Sequence, residues 1–280
     1  MTPPSSARTP PDVPPSGLPV SILVDYDGTI SILDVGDELL RHHGPDPAET
    51  ARQDAAYDQG RVGSRELMRW DMDVLPHDPG LLRREAETAG QDAAFPAFVA
   101  IARRAGVAVE VVSDGLGFYV APNLARMGLA DLAVATNENR LRDGGRGLSF
   151  PYGHPACFVC GTCKRERVRA HQALERAVVF IGDGSSDRYA AFHADLVLAK
   201  GDLAAFCAGA GWPFRGWSDF TELSAWLEDA IASRALPATA ADLPAWRAAH
   251  PAMAARQARP FICGPEAWGP DRTTPASLLP

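Results

Sequence analysis

The stretch Val20-Ser-Ile-Leu-Val-Asp25-Tyr-Asp27-Gly-Thr29 sets the framework for the whole chain. Its apolar half is typical of a strand buried on both faces of a parallel sheet, and its polar half is typical of the loop after such a strand. Residues two apart along an extended chain face the same way, so the carboxyl groups of Asp25 and Asp27 are expected on one side. The stretch therefore predicts a core β-strand with two acidic groups at its carboxyl end.

Further apolar runs along the chain have the length and composition of buried strands. They span residues 107–112, 132–136, 177–181 and 196–199. Helical patterns fill the gaps between them, at 95–104, 165–176 and 219–232. Strands that alternate with helices in this way predict an α/β fold, a doubly wound parallel sheet.

The segment between the first two strands is too long for a single crossover and shows no convincing strand. Ser64 precedes an apolar-periodic run, and Asp78-Pro79 with a closing Gly90 marks a further helix. We therefore predict an inserted helical cap over the carboxyl edge of the sheet. The predicted division is a cap of residues 34–95 and an α/β core of residues 20–33 and 96–234.

Both ends of the chain are rich in proline. Residues 1–19 hold seven prolines without apolar periodicity, which is typical of a disordered or polyproline-like leader. Residues 235–280 form a second proline-rich tail, which we expect to be largely irregular, with Trp246 and Trp268 as anchors.

Composition excludes several classes of function. The formal net charge of -8 argues against binding to nucleic acid or to an anionic membrane surface. No apolar stretch is long enough to span a bilayer, the N-terminus lacks a secretory signal pattern, and five cysteines are too few for a disulfide framework. We expect a cytoplasmic monomer or homodimer that acts on a small molecule.

Three of the predicted strands end in polar residues. In open α/β sheets the carboxyl ends of the strands share one crevice, so Asp25, Asp27, Ser113 and Asp183 are expected to meet. Several carboxylates in one crevice repel each other and need a cation. Oxygen ligands that face a phosphate favour Mg²⁺, which we predict as the cofactor.

Asp25 and Asp27 suit phosphate-ester hydrolysis. The Asp25 carboxylate can attack phosphorus to give an aspartyl-phosphate, and the Asp27 carboxyl can protonate the leaving oxygen and later deprotonate water. Gly28 permits close backbone approach, and Thr29 adds a hydroxyl.

The transferring phosphoryl group also needs donors. Ser113 and the backbone amides of Asp114 and Gly115 are candidates for binding its oxygens. Lys164 is one of two lysines in the chain and is the expected cation for the same oxygens. Asp187, which follows Asp183 by one helical turn, is expected to bind the metal directly or through water, or to orient Lys164.

Four segments in order resemble the motifs of the haloacid dehalogenase superfamily. They are Asp25-Tyr-Asp-Gly-Thr, Ser113-Asp-Gly, Lys164 and Gly182-Asp-Gly-Ser-Ser-Asp187, and the resemblance covers residues 20–199. It implies Asp25 as nucleophile, Asp27 as acid and base, Ser113 and Lys164 as phosphate ligands, and a magnesium site. The metal ligands it implies are Asp25, the backbone carbonyl of Asp27, Asp183 and Asp187.

Finer features point to a branch of this superfamily. The insertion after the first motif resembles the helical-cap subclass that includes phosphoserine phosphatase. The run Cys157-Phe-Val-Cys160-Gly-Thr-Cys163-Lys164 is similar to the segment before the motif lysine in 2-hydroxy-3-keto-5-methylthiopentenyl-1-phosphate phosphatases, and phosphocholine phosphatases have a related run. The resemblance implies a substrate of either kind. The sequence of the cap identifies no substrate, but its residues Asp34 and Glu38 are candidates for substrate contact.

Other readings stay open at this point. A phosphotransferase keeps the same nucleophile, and a phospho-accepting signalling domain binds Mg²⁺ without turning over esters, although it needs no acid at Asp27. His154, Cys157, Cys160 and Cys163 have ligand types that suit zinc, so a zinc-loop binding protein is a further alternative. Four ligands within so short a loop favour a buried thiol cluster instead.

Overall fold

The computed structural model of the protein describes residues 17–58, 61–142, 145–154 and 159–256. The described residues contain a seven-stranded sheet in the order β4-β3-β2-β1-β5-β6-β7, which is parallel except for β4. The strands are β1 (Val20–Val24), β2 (Ala108–Leu116), β3 (Ala133–Arg142), β4 (Gly145–Ser149), β5 (Ala177–Gly182), β6 (Leu196–Ala199) and β7 (Arg215–Gly216). The predicted fold class, an α/β fold with a doubly wound sheet, is confirmed.

Helices cover the sheet and fill the long insertion after β1. The insertion holds α1 (Val35–His43), α2 (Pro47–Asp58), α3 (Ser64–Val74) and α4 (Pro79–Ala86). The other helices are α5 (Phe95–Arg104), α6 (Gly117–Arg126), α7 (Lys164–Gln172), α8 (Arg188–His193), α9 (Gly201–Ala210), α10 (Phe220–Ala232), α11 (Leu243–Ala249) and α12 (Met253–Arg256). None of the helices in the described ranges is long and apolar enough to cross a membrane.

The sheet separates two apolar clusters. Alternate residues of β1 belong to different clusters, because successive side chains of a strand point to opposite faces. Ile22 packs on the side of α5 and α10, whereas Leu23 packs on the side of α7, α8 and α9. Every residue of β1 is buried, which explains why all of them except Ser21 are apolar.

Several boundaries differ from the sequence-based expectation. The second strand extends beyond 112 to Leu116, because an irregularity in its pairing with β3 keeps the chain extended through the polar residues. The helix expected at 165–176 begins at Lys164 and ends at Gln172, since Glu175 takes a positive φ of 55°. The strands β4 and β7 were missed because neither carries an apolar run.

The segment from 235 onward, expected to be irregular, is partly helical. It contains α11 and α12. Trp246 packs against the larger apolar cluster, which attaches the segment to the core, and its indole Nε1 donates to the Ala235 carbonyl over 2.8 Å. Most of the predicted leader, along with Trp268 and Cys263, lies outside the described residues.

Phe220 is expected to be a main stability determinant of the α5–α10 layer. Its side chain is fully buried, and its ring centroid lies 4.7 Å from that of Phe95 and 5.3 Å from that of Phe98. Phe220→Ala should lower the free energy of unfolding by about 3–5 kcal/mol in urea titrations, because a cavity replaces the ring. Phe206→Ala, at a half-buried ring, is the control and should cost less than half as much; equal losses would contradict the packing argument.

Candidate active site

The structure brings the predicted site residues together at the carboxyl edge of three adjacent strands. Asp25 follows β1, Ser113 lies near the end of β2, and Asp183 follows β5. The Asp25 amide donates to the Ile181 carbonyl over 2.9 Å, which continues the pairing of β1 with β5 into the site. Residues far apart in sequence therefore share one crevice.

Lys164, the first residue of α7, lies among acidic groups. Its Nζ is 2.7 Å from Asp25 Oδ1 and 2.6 Å from Asp187 Oδ1, and it donates to Ser186 Oγ over 3.0 Å. Only 2% of the lysine side chain is exposed. Burial alone lowers the pKa of Lys164, but the carboxylates of Asp187 and Asp25 outweigh it and raise the pKa above its ordinary value. Lys164 is therefore a fixed positive charge.

Asp25, Asp183 and Asp187 form the acidic trio of the site, with one oxygen of each within 4.8 Å of the others. Lys164 contacts two of these carboxylates, and the charge of Lys200 lowers the pKa of Asp183, so the three groups keep an excess of negative charge when all are ionised. Burial and the charge of Asp187 raise the pKa of Asp25 well above its usual range and that of Asp183 to about 6. An all-oxygen donor set with this excess charge fits a divalent cation such as Mg²⁺.

Local hydrogen bonds orient the trio. Thr29 Oγ1 donates to Asp183 Oδ1 over 2.6 Å. The amides of Asp183 and Gly184 each donate to Asp187 Oδ2 over 3.0 Å, so the other Asp187 oxygen faces Lys164. Gly28, at φ 68°, makes room for the trio, because a Cβ there would lie 2.3 Å from Asp183 Oδ2.

Asp27 occupies a different environment from Asp25. Its Oδ2 accepts from the Tyr119 hydroxyl over 3.0 Å and from Ser113 Oγ over 3.4 Å, and its Oδ1 accepts from the Val35 amide over 3.2 Å. These donors favour the carboxylate, but burial and then the charge of Asp34 outweigh them and raise the pKa of Asp27 well above its usual range. Burial and Asp34 therefore favour the protonated form of Asp27.

The Ser113-Asp114-Gly115 segment is arranged differently from the expectation that it lies at a helix start. The three residues lie within β2, and α6 begins only at Gly117. The Gly115 amide donates to Ser113 Oγ over 2.9 Å, so in this arrangement it is not directed at a ligand. A phosphate-binding role for the Asp114 and Gly115 amides stays a prediction.

The Asp114 side chain supports the loop before Lys164. Its Oδ1 accepts from the Thr162 amide over 2.7 Å and from Asn137 Nδ2 over 3.1 Å. Asn137 Nδ2 also lies 2.8 Å from the Asp114 carbonyl. The sequence argument assigned no role to Asn137, although its position after the apolar run of β3 matches that of the other site residues.

Tyr119 and Asp71 were also missed. Tyr119 follows a predicted strand by a few residues, but its contact with Asp27 depends on where α6 turns back. Asp71 lies on α3 of the insertion, and its Oδ1 is buried without a hydrogen-bond partner. Burial and the neighbouring Asp34 raise the pKa of Asp71 to about 8. No sequence pattern marks this residue, because its burial results from helix packing.

The cysteine run is only partly described. Cys160 and Cys163 are buried and are not in a disulfide, and burial raises the pKa of Cys163 to about 12, which favours a neutral thiol. Cys157 lies outside the described residues. The zinc site suggested for His154, Cys157, Cys160 and Cys163 therefore stays a prediction.

Known proteins share the sequence pattern of this chain. Residues 22–191, more than half of the chain, match the family described as haloacid dehalogenase-like hydrolase. A 2-hydroxy-3-keto-5-methylthiopentenyl-1-phosphate phosphatase of Exiguobacterium sp. is 27% identical over 214 residues, which cover 74% of this chain and 96% of that protein. The protein of the same name from Geobacillus kaustophilus is 26% identical, and the match covers 72% of this chain and 92% of the relative.

Solved structures share the fold at lower sequence identity. The phosphoserine phosphatase of T. onnurineus matches with a TM-score of 0.57 and 16% identity, over 78% of this chain and 99% of its own. A phosphoserine phosphohydrolase-like protein of Francisella tularensis matches with a TM-score of 0.55 and 15% identity, over 74% of this chain and 99% of its own. The ordered motifs and the family match lead to one conclusion: the chain belongs to the haloacid dehalogenase-like hydrolase family, whose members named above are phosphatases.

Proposed function

We propose that the protein is a Mg²⁺-dependent phosphatase that hydrolyses a small phosphomonoester through a phosphate ester of Asp25. The observation that carries the proposal is the contrast between two carboxyl groups two residues apart. Asp25 contacts the ammonium of Lys164, which opposes the effect of burial on its pKa, whereas Asp27 accepts from neutral donors, and burial with the charge of Asp34 raises its pKa. One group is thereby suited to attack and the other to proton transfer.

In the first step an Asp25 oxygen bonds to phosphorus, and the bond from phosphorus to the ester oxygen breaks. Asp27 gives its proton to that leaving oxygen, which departs as a neutral alcohol. Lys164 contacts Asp25 and Ser113 contacts Asp27, so the ammonium can neutralise charge on the phosphoryl oxygens and the hydroxyl can donate a hydrogen bond to them. Bound Mg²⁺ would lie in the trio of Asp25, Asp183 and Asp187, with the Asp27 carbonyl as a further ligand, and would stabilise charge on the phosphoryl group.

In the second step the ionised Asp27 removes a proton from water, and the water oxygen attacks phosphorus. The bond to Asp25 breaks, inorganic phosphate forms, and Asp27 regains its proton. The high pKa of Asp27 makes it a competent base in this step, for the same reason that it is a competent acid in the first. A phospho-accepting signalling domain has no need of this group.

The insertion of α1–α4 is proposed to select the leaving group. It contacts the site at several points: the Val35 amide donates to Asp27, and Arg65 Nε donates to the Cys160 carbonyl over 2.7 Å. Asp34, the N-cap residue of α1, directly precedes Val35 and raises the pKa of both Asp27 and Asp71. We therefore place Asp34 and Asp71 on the side of the site that would meet the leaving group, and we call these two residues the acidic wall.

This wall favours a leaving group without a carboxylate. Asp34 would repel a carboxylate, while protonated Asp71 can donate a hydrogen bond to a hydroxyl or keto oxygen. The relatives are named for a substrate with hydroxyl and keto groups. We therefore propose 2-hydroxy-3-keto-5-methylthiopentenyl-1-phosphate or a similar neutral metabolite ester as the substrate class, with phosphoserine and phosphocholine as the competing substrates.

Substitution of the two aspartates should separate their roles. Asp25→Asn should lower kcat/KM roughly 10⁴-fold for every ester, because the nucleophile is lost. Asp27→Asn should lower kcat/KM roughly 10²–10⁴-fold for an alkyl phosphate and much less for p-nitrophenyl phosphate, whose leaving group needs no proton. Steady-state assays with and without Mg²⁺ measure both, with exposed Asp131→Asn as the control. Equal losses of kcat/KM on the two esters would show that Asp27 is not the acid.

Affinity for Mg²⁺ should fall in acid. Because the pKa of Asp183 is raised to about 6, the carboxylate is available above that pH, and a proton competes with the metal below it. Calorimetric titration should show affinity falling by up to about tenfold per pH unit below pH 6. Asp183→Asn should bind Mg²⁺ more weakly and with a flatter pH dependence; an unchanged affinity would exclude Asp183 from the metal site.

A substrate panel tests the acidic wall. We expect a higher kcat/KM for the hydroxy-keto ester than for phosphoserine, whose carboxylate meets Asp34. Asp71→Asn retains a hydrogen-bonding amide and should lose less kcat/KM on the hydroxy-keto ester than Asp71→Leu does. Phosphoserine as the best substrate, or equal losses for the two variants, would contradict the assignment.

A further inference from the structure

Four polar side chains form a buried network beneath the site. His171 Nε2 lies 2.6 Å from Glu110 Oε2, and His171 Nδ1 lies 2.8 Å from Ser21 Oγ. Arg167 binds the same carboxylate through two nitrogens, with Nε 3.0 Å from Oε1 and NH2 2.8 Å from Oε2 of Glu110. Each of the four residues is at most 4% exposed. We call Ser21, Glu110, Arg167 and His171 the buried network.

The buried network joins the three elements that carry the site. Ser21 lies on β1, four residues before Asp25, and therefore on the same face of that strand. Glu110 lies on β2, three residues before Ser113. Arg167 and His171 follow Lys164 by three and seven residues, so all three side chains lie along one side of α7. The network thus ties β1, β2 and α7 together one layer below the reacting groups.

The composition of this helix face calls for an explanation. Lys164, Arg167 and His171 are all buried, whereas a helix on a sheet ordinarily buries an apolar stripe. Burial of charged groups costs free energy, and apolar residues of similar volume often pack as well. Burial alone raises the pKa of Glu110, but His171 and Arg167 outweigh it and lower the pKa, so the carboxylate stays ionised for its partners.

What polar contacts add to apolar packing is direction. A two-nitrogen contact between guanidinium and carboxylate fixes both distance and angle, whereas apolar side chains tolerate sliding. Arg167 also lies over the Tyr152 ring at 5.5 Å, and the Tyr152 carbonyl accepts from the Cys163 amide over 3.0 Å, directly before Lys164. The start of α7 is therefore held from two sides.

An alternative role for these residues is catalysis of acyl transfer, because Ser21, His171 and Glu110 have the residue types of a nucleophile, base and acid. Ser21 and His171 are both fully buried, with 0% of their surface exposed. No substrate carbonyl can reach the serine oxygen, so this role is excluded on access.

We propose that the buried network is a positioning unit that sets the register of α7 against β1 and β2, and so holds the Lys164 ammonium between Asp25 and Asp187. Arg167 and Glu110 are its principal members, and Ser21 and His171 fix its orientation toward β1. The catalytic consequence of this placement rests on the proposed phosphatase function, while the placement itself does not.

The lysine content of the chain allows a direct test, because Lys164 and Lys200 are its only lysines. In protein labelled with ¹³C and ¹⁵N at lysine, Lys200→Arg assigns the two side-chain signals. Arg167→Met and the milder Ser21→Ala should both shift the Lys164 signals. Arg103→Met, which breaks the Arg103–Asp131 ion pair of α5 on the other side of the sheet from α7, should leave them in place. Unmoved Lys164 signals in folded Arg167→Met and Ser21→Ala would overturn the proposal.

Kinetics supply the second readout. Arg167→Met should lower kcat/KM roughly 10–100-fold and weaken inhibition by inorganic phosphate, because a misplaced ammonium binds the oxyanion less well. In a Lys164→Met background the same substitution should have little further effect on kcat/KM, whereas its effect on stability should persist. Additive losses of kcat/KM would overturn the proposal. If the wild-type protein had no phosphatase activity but the variants still shifted the Lys164 signals, the proposed function would be refuted and the positioning unit would stand.

Discussion

The contact between the Lys164 ammonium and the carboxylates of Asp25 and Asp187 is the constraint on which the rest of the site depends. Three acidic groups lie within a few ångströms of each other at a buried sheet edge, and like charges in a poorly solvated place repel strongly. Without the lysine they would take up protons, and Asp25 would lose the charge that makes it a nucleophile. One ammonium leaves an excess of negative charge that suits a divalent cation.

The same constraint separates the roles of two neighbouring aspartates. Asp25 shares the face of β1 that looks toward α7, whereas Asp27 turns toward Tyr119 and the start of the insertion. The difference lies in surroundings, because the two side chains are chemically identical. Burial raises the pKa of both groups; the Lys164 ammonium opposes this at Asp25, whereas at Asp27 the charge of Asp34 adds to it and mainly neutral donors oppose it. Sequence adjacency places both groups at the same edge of the sheet, and their environments suit them to the two different roles proposed for them.

The sequence predicted the parts of the molecule that depend on local pattern. Buried parallel strands carry continuous apolar runs, and polar residues at their ends mark the site, so β1, β2 and β5 and the group around Asp25 were foreseen. The short strands β4 and β7 lack such runs, and they exist only because a neighbouring strand offers an edge. Tyr119, Asp71 and the buried network escaped for a related reason: their roles depend on which helix faces pack together.

The buried network and the acidic wall meet two different requirements of the site: one fixes the position of charged groups, and the other contacts the leaving group. Beneath the site, Glu110 and Arg167 hold charged groups in a fixed direction, since an attacking oxygen and its counter-charge tolerate little displacement. Above it, the Val35 amide at the start of α1 donates to Asp27, so the proposed proton donor also contacts the insertion. Movement of α1 relative to β1 would change the hydrogen bonding of Asp27 and the space for the leaving group together. Under the proposed function, substrate selection and proton transfer would therefore be coupled through this one residue.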